Sequence, residues 1–241
     1  MSQSDVPRMI GSRDMHELLK ELLSDLEPCR VLDAGTGYGA AAGLLRDRGF
    51  DVHCCDVDPG LFALEGIPND PVDLNGAMPY EDGRFDCVVC ANVLHRLYDV
   101  QGALREFSRV LRSGGTLVIT FNNYSNIEKR IRFLFTGSLT NRTNEERYVQ
   151  TIDDPAANVR QALFYPQVHN ALVRTGLEIE RVRSTRPRLG LLLLTPLALL
   201  IRAITTVLPM RKRRTNCLSI MNSWALLPGG KHLAIIARKP G

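Results

Sequence analysis

The sequence predicts an α/β fold: a mostly parallel, seven-stranded sheet with helices on both faces, plus a hydrophobic and basic helical insert before the last strand. Three observations predict it. Short apolar segments alternate with amphipathic ones through the first half of the chain, the pattern of right-handed β-α-β units. Segments such as CVVC (87–90) and LVIT (117–120) are apolar throughout, as in strands covered on both faces. The 241 residues, with ordinary apolar and charged fractions, suffice for a single domain (1–241) with a proper core.

Residues 1–11 are polar and read as a tail, and 12–26 as an amphipathic helix with Ser12 as a plausible cap. CRVLDAG (29–35) is a strand ending in glycine, 39–48 a short helix, and DVHCCDVD (51–58) a second strand. PVDL (71–74) reads as a third and RFDCVVCAN (84–92) as a fourth. VQGALREFSRVLRSGG (100–115) is a helix closed by glycines, and TLVITFN (116–122) the fifth strand. Residues 124–152 look irregular, with one basic amphipathic piece, NIEKRIRFLF. A helix over 166–176 precedes the strand LEIERVRS (177–184), and HLAIIARK (232–239) is the last strand. The 47 residues between those strands, 185–231, are the insert.

Charge is unevenly spread. Residues 1–180 carry 18 Lys and Arg against 26 Asp and Glu; residues 181–241 carry 12 Lys and Arg and no acid. The C-terminal region therefore suits an anionic partner, a membrane surface or nucleic acid. No basic segment followed by an apolar one opens the chain, so no signal peptide is read. The six cysteines lack the spacing of a secreted scaffold. Cys87 and Cys90 sit three apart in an apolar strand, so they point to opposite faces and read as buried thiols rather than a redox or zinc pair. A reducing, cytoplasmic setting fits, and no grouping shows convincing metal-ligand spacing.

VLDAGTGYGA (31–40) is a strand, a glycine-rich turn and a helix start. Gly35, Gly37 and Gly39 leave the backbone open to a ligand, and the helix start favours a negative group. Taken alone, Gly35-x-Gly37-x-x-Ala40 also satisfies the loose dinucleotide fingerprint. Asp56, 23 residues after Asp33, ends the second strand where an acid can accept from two ribose hydroxyls. Asp56 and Asp58 read equally as turn and capping residues before Pro59.

With Asp33 two residues before the first glycine, the turn becomes D-x-G-x-G-x-G, which resembles motif I of class I methyltransferases dependent on S-adenosyl-L-methionine (SAM). PVDLNGAMPYEDGRFD (71–86) resembles a second block of that family, and ANVLHRLYDVQGALREFSRVLRSGGTLVIT (91–120) resembles its type-11 branch, with Ser113 in place of the usual proline. The resemblance spans about residues 30–122. It implies a Rossmann-like fold, SAM as cofactor, Asp33 near its amino-acid end and Asp73 at the adenine amine. Asn92, closing the fourth strand, completes the implied cofactor set of Asp33, Gly35, Gly37, Gly39, Asp56, Asp73 and Asn92. For Asp73 a plain surface-loop reading stays open.

FNNYSNIEKRIRFLFTGSL (121–139) resembles a narrower subgroup linked to cell-envelope glycans. Asn123, Asn126, Arg130, Phe133 and Gly137 keep its spacing, while Asn122 replaces its proline and Asn158-Val159-Arg160 stands where it has a histidine. A hydroxyl acceptor must lose a proton, and His95, just past the fourth strand, is the candidate base; a packing or capping role competes. Tyr124 and Asn123 are candidates for shaping the acceptor pocket.

LGLLLLTPLALLI (189–201) holds eight leucines in thirteen residues, with Arg181, Arg183, Arg186 and Arg188 before it and Arg211–Arg214 after. It lacks the polar face of a core helix packed at the surface. A single span would need about 20 apolar residues, which buries Arg202 and runs through Pro196. It would also put the strands at 177–184 and 232–239, which should pair, on opposite sides of the bilayer. An element lying in the membrane interface meets both constraints, with residues 185–214 on an anionic surface. Trp224 sits at the headgroup level or in the core.

These readings converge on a SAM-dependent O-methyltransferase, peripheral on the inner face of the cytoplasmic membrane and acting on an envelope glycan or lipid-linked sugar. A lipophilic small molecule such as a quinone precursor is the alternative acceptor. A non-catalytic SAM-fold protein and an RNA methyltransferase are further rivals. Nucleic acid is not expected, because the leucine run has no electrostatic use and no aromatics interleave for base stacking.

Overall fold

The computed structural model describes residues 13–139, 161–187 and 189–241. The tail, Ser12 and Asn158–Arg160 lie outside the described residues. The strands are β1 (Arg30–Ala34), β2 (Asp51–Asp56), β3 (Asn69–Pro71), β4 (Phe85–Ala91), β5 (Leu111–Asn122), β6 (Glu178–Ser184) and β7 (His232–Arg238). They form one sheet in the order β3-β2-β1-β4-β5-β7-β6. The first five pair in parallel, and β7 runs antiparallel between β5 and β6.

Helices α1 (Arg13–Ser24) and α2 (Ala40–Arg46) cover one face, and α3 (Val100–Val110) and α5 (Tyr165–Arg174) the other. The strands serve both sides: Val31, Val89 and Val118 join the core under α1 and α2, while Leu32, Val88 and Ile119 join the core under α3 and α5. Cys87 and Cys90 fall in opposite cores as the strand period requires, and both are free thiols.

Two boundaries differ from the sequence reading. The helix over 100–115 ends at Val110, and Ser113-Gly114-Gly115 lie inside β5. β5 bulges there: Phe85 faces Leu111, but Cys87 already faces Thr116. A Cβ on Gly115 would come 2.8 Å from the Arg112 carbonyl oxygen, so the glycines serve a tight bulge rather than a helix cap. The third strand lies at 69–71 rather than 71–74. Val72 and Leu74 are buried in the core, so the apolar alternation outlasts the strand pairing and displaced the reading.

The segment after β5 is ordered as α4 (Ile127–Thr136), started by Asn126, whose side chain accepts from the Lys129 amide, and ended by Gly137 in the left-handed conformation (φ 64°). The insert runs through a 3-10 turn (Leu189–Leu194), α6 (Thr195–Val207), α7 (Met210–Thr215) and α8 (Leu218–Met221). Pro196 sits in the first turn of α6, where its missing N–H costs nothing. Among the described residues no helix is long and apolar enough to cross a membrane. β6 and β7 pair as the closing hairpin, so the insert leaves and re-enters at one edge of the sheet. Asn122 faces His232 and Ser184 faces Leu233, which makes that edge the C-terminal edge of the parallel strands.

Candidate active site

In open parallel sheets ligands bind outside the C-terminal ends of the strands, beside the point where the strand order reverses. Here that point lies between β1 and β4. The glycine loop leaves β1 there, anchored by the Gly35 and Thr36 amides donating to the Cys55 carbonyl (2.8 and 3.2 Å). Gly35 has φ +77° and a Cβ would meet Val93 at 2.5 Å; Gly39 has φ +87° and a Cβ would meet the Phe62 ring at 2.7 Å. Neither position tolerates a side chain, so both glycines are required by packing as well as by conformation. At Gly37 a Cβ would meet nothing within 4 Å: this is the open side of the loop.

Asp33 and Asp56 hold the loop from below and from the side. Asp33 is 1% exposed and accepts from the Thr36 hydroxyl at 2.8 Å. Burial pushes its carboxyl up to about 6; the Thr36 hydroxyl and the Ala42 amide work against this, and the Asp56 charge adds to it. The structure thus encloses Asp33 under the turn. Asp56 is half-buried and accepts from the Gly37 amide (2.8 Å) through one oxygen and from the Asp58 amide (3.0 Å) through the other. Each oxygen retains a lone pair for a ribose hydroxyl. The capping and ribose readings of Asp56 are therefore compatible.

Asp73 is exposed two residues past β3. Its carboxylate accepts from the Asn75 amide (2.9 Å) and side chain (2.8 Å), and Asn75 in turn accepts from the Tyr98 amide (2.7 Å). This ties the loop after β3 to the turn after β4. Asn92 holds φ +62°, one of two left-handed non-glycine residues among those described, and its amide donates to the Thr120 carbonyl at 3.0 Å. Such strained backbone gathers at functional sites. All seven implied cofactor residues stand in or beside the β1, β2, β3 and β4 ends. The sequence reading missed Tyr38 and Val57, apolar side chains 39% and 57% exposed in the loops after β1 and β2. Their one signal was an apolar residue set between glycines or acids in an otherwise polar turn.

The residues read as candidates on the acceptor side are buried or half-buried. His95 lies at the C-terminal end of β4 but is 4% exposed, and its carbonyl accepts from the Gln161 amide at 2.8 Å. Its backbone carbonyl thus ties the turn after β4 to the segment before α5. Asn123 is also buried. Its side chain donates to the Leu226 and Gly230 carbonyls (3.0 and 3.2 Å), and Asn126 reaches Gly230 as well (3.3 Å). Arg130 donates to the Ser125 carbonyl (2.7 Å), the Asn222 side chain (2.6 Å) and the Met221 carbonyl (2.8 Å), and burial lowers its pKa. The Asn-Asn-Arg pattern thus clasps the insert. Tyr124 is half-buried, its ring 6.0 Å from Phe164. His232, the first residue of β7, is 3% exposed, and burial lowers its pKa to about 4, so it is neutral at physiological pH.

A polar concavity lined by Arg30, Asp51, His53, Glu81, Arg84 and Phe85 lies at the opposite, N-terminal edge, where β1, β2 and β4 begin. It is far from the glycine loop and is not the candidate site.

Residues 32–119 match the model of a methyltransferase domain family. A demethylmenaquinone methyltransferase from Beutenbergia cavernae is 38% identical over 96 residues, 37% of this chain and 39% of that protein. An ajmaline N-methyltransferase from Rauvolfia serpentina is 27% identical over 169 residues, 65% of this chain and 54% of that protein. The matches thus span about half, or less, of these relatives. In fold, a SAM-dependent methyltransferase from Archaeoglobus fulgidus superposes with a TM-score of 0.59 at 17% identity, covering 93% of this chain and 94% of that one. The matched segment runs from β1 through the glycine loop and the Asp56, Asp73 and Asn92 turns to β5. Residues 32–119 are therefore similar to a methyltransferase domain, and the chain as a whole shares the α/β, Rossmann-like fold of that structure.

Proposed function

We propose that this protein transfers the methyl group of SAM to a lipophilic acceptor at an anionic membrane surface. One observation carries the reading: the loop held by Asp33 and Asp56 opens at the same sheet edge from which the leucine- and arginine-rich insert springs. The residues fit the cofactor. Gly37 leaves room on the open side of the loop, Asp56 keeps lone pairs for ribose hydroxyls, Asp73 stands beyond β3 for the adenine amine, and Tyr38 and Val57 offer apolar surface to a base. SAM supplies an activated methyl on a sulfonium, which is displaced in line by the acceptor. The chain's own contribution is alignment and exclusion of water. The turn after β4, the start of α5, the 122–126 segment and the end of the insert supply the walls for that.

No exposed histidine stands at the β4 end, since His95 is enclosed. This suits an acceptor that needs little help in losing its proton. The relatives named demethylmenaquinone methyltransferase favour a quinone precursor. A hydroxyl on a lipid-linked sugar is the second reading, favoured by the 121–139 pattern, in which Asn123, Asn126 and Arg130 act together. The membrane reading rests on the insert: Arg211, Lys212 and Arg214 are exposed beside an exposed apolar helix face. Trp224 is 49% exposed, with the Arg202 guanidinium 5.2 Å from its ring centre, which suits a headgroup position. On this reading the protein works on the inner face of the cytoplasmic membrane.

Calorimetric titration with SAM, against Asp56→Ala and against NADH, tests the cofactor. Transfer of labelled methyl from SAM into separated quinone and lipid-linked sugar fractions tests the acceptor. Label in the sugar fraction alone would replace the first acceptor by the second; NADH binding without SAM binding would overturn the reading.

A further inference from the structure

We propose that the end of α4 is a second membrane-inserting element, so that the protein docks with the C-terminal edge of its sheet toward an anionic bilayer; this rests on the membrane reading of the insert given above.

The exposed residues come first. Phe133, Leu134 and Phe135 are 53%, 77% and 80% exposed. Consecutive helical residues point about 100° apart, so three in a row sweep most of the helix circumference. All three being exposed means that the last turn of α4 stands clear of the body. The first turns do not: Ile127 is buried, and Ile131 packs partly against the same cluster.

That cluster joins α4 to the insert. Ile127, Ala198 and Leu227 form a small core with Ile131, Leu194 and Ile201 against it. α6 turns Ala198, Ile201 and Thr205 inward, and leaves Leu197, Leu200, Ile204 and Val207 exposed at 39%, 56%, 55% and 85%. These four recur at helical spacing and make one apolar face. The shared core and the Arg130 and Asn126 clasp thus join the base of α4 to the insert that carries this face. Both elements spring from the C-terminal sheet edge, α4 after β5 and the insert between β6 and β7. Docking through both points the acceptor side at the lipid.

Charge selects the occupant. Residues 181–241 hold 12 basic residues and no acid, with Arg211, Lys212 and Arg214 exposed on α7. A second copy brought onto this face would set like charges against each other. An anionic bilayer offers apolar depth for the aromatic tip and negative headgroups for α7.

The test is co-sedimentation of the full chain with vesicles of phosphatidylglycerol and phosphatidylcholine in equal amounts, with sedimentation velocity and SAM calorimetry alongside. Three proteins are compared: wild type, F133S/L134S/F135S and L200S/I204S/V207S. The expected result is that the α4 variant keeps wild-type SAM affinity and loses roughly tenfold or more in vesicle affinity, as removal of one of two anchors requires. Unchanged vesicle binding by the α4 variant, with binding lost in the insert variant, overturns this proposal and leaves the membrane reading standing. A wild type that ignores the vesicles overturns both. A wild-type dimer that the α4 variant dissolves, with vesicle binding intact, assigns the face to self-association and overturns the proposal.

Discussion

The two halves of the molecule hold their functional elements by opposite means. Around the glycine loop the work is done by acids: Asp33, Asp56 and Asp73 each accept from donors within about twenty residues, mostly backbone amides of their own turns. Around the insert it is done by donors: Asn123, Asn126, Arg130 and Arg202 give hydrogen bonds to groups of the insert, in most cases ninety or more residues away. The first device sets the shape of the glycine loop and is nearly complete within one β-α-β unit. The second fixes a surface element to a sheet edge and exists only when distant stretches of the chain have met. Damage to the first should therefore appear in ligand affinity, and damage to the second in stability and surface behaviour.

The sharpest way to break this contrast is Arg130→Ala. It strands the Ser125 and Met221 carbonyls and the Asn222 side chain in a largely buried place, at a cost of roughly 3–4 kcal/mol. Calorimetric melting should show a fall of several degrees, while SAM affinity at a temperature where the variant is folded stays near wild type. A large loss of SAM affinity would show that the two halves are coupled. Asp56→Ala should do the reverse. On the proposed placement of SAM, losing the carboxylate that accepts from the Gly37 amide and faces the ribose should weaken SAM binding by about 2–3 kcal/mol, or 30- to 150-fold, with a smaller fall in melting temperature.

Asp33 and His232 sharpen the comparison through pH. Burial raises Asp33 to about 6, so between roughly pH 6 and 4 the folded protein holds a proton that the unfolded chain has released, and stability rises as pH falls through that window. Burial lowers His232 from 6.5 to about 4, so there the unfolded chain takes up the proton first and stability falls as pH drops over much the same range. The two trends offset one another in the wild type. Asp33→Asn removes the first: the Thr36 hydroxyl can turn to accept from the new amide, stability at pH 7 should rise by about 2 kcal/mol, and the acid loss due to His232 should be laid bare. Melting temperature followed from pH 7 to 4 reads both effects; a variant curve parallel to wild type would refute the assignment. The smallest effect belongs to Arg181→Ala. Its 2.6 Å pair with Asp25 links β6 to the chain after α1, but both side chains are over two-fifths exposed, so the loss should stay below about 1 kcal/mol.

How far these features could be read in advance follows the same division. Strand β1, the glycine loop and the Asp56 turn were legible because their causes are local: an apolar run, residues without side chains, an acid at a strand end. The β5 bulge was not, because Ser113-Gly114-Gly115 serves a helix end and a strand bulge equally well, and only pairing with β4 and the end of β7 selects the second. His95 was placed correctly at a strand end, but its enclosure depends on Gln161 and the segment before α5, far along the chain.

By itself, then, the sequence determined the α/β alternation, the glycine loop with its acids, and the existence of a leucine-rich, acid-free insert, since each follows from residue type and short-range period. Only the tertiary structure decided that Asn123, Asn126 and Arg130 clasp the insert, that α4 and α6 share a small core, and that both spring from the edge where the glycine loop opens. The reason is that a buried amide or guanidinium takes its role from whichever partner reaches it. For these residues most partners are carbonyls and side chains about ninety or more positions away, which no local pattern can name.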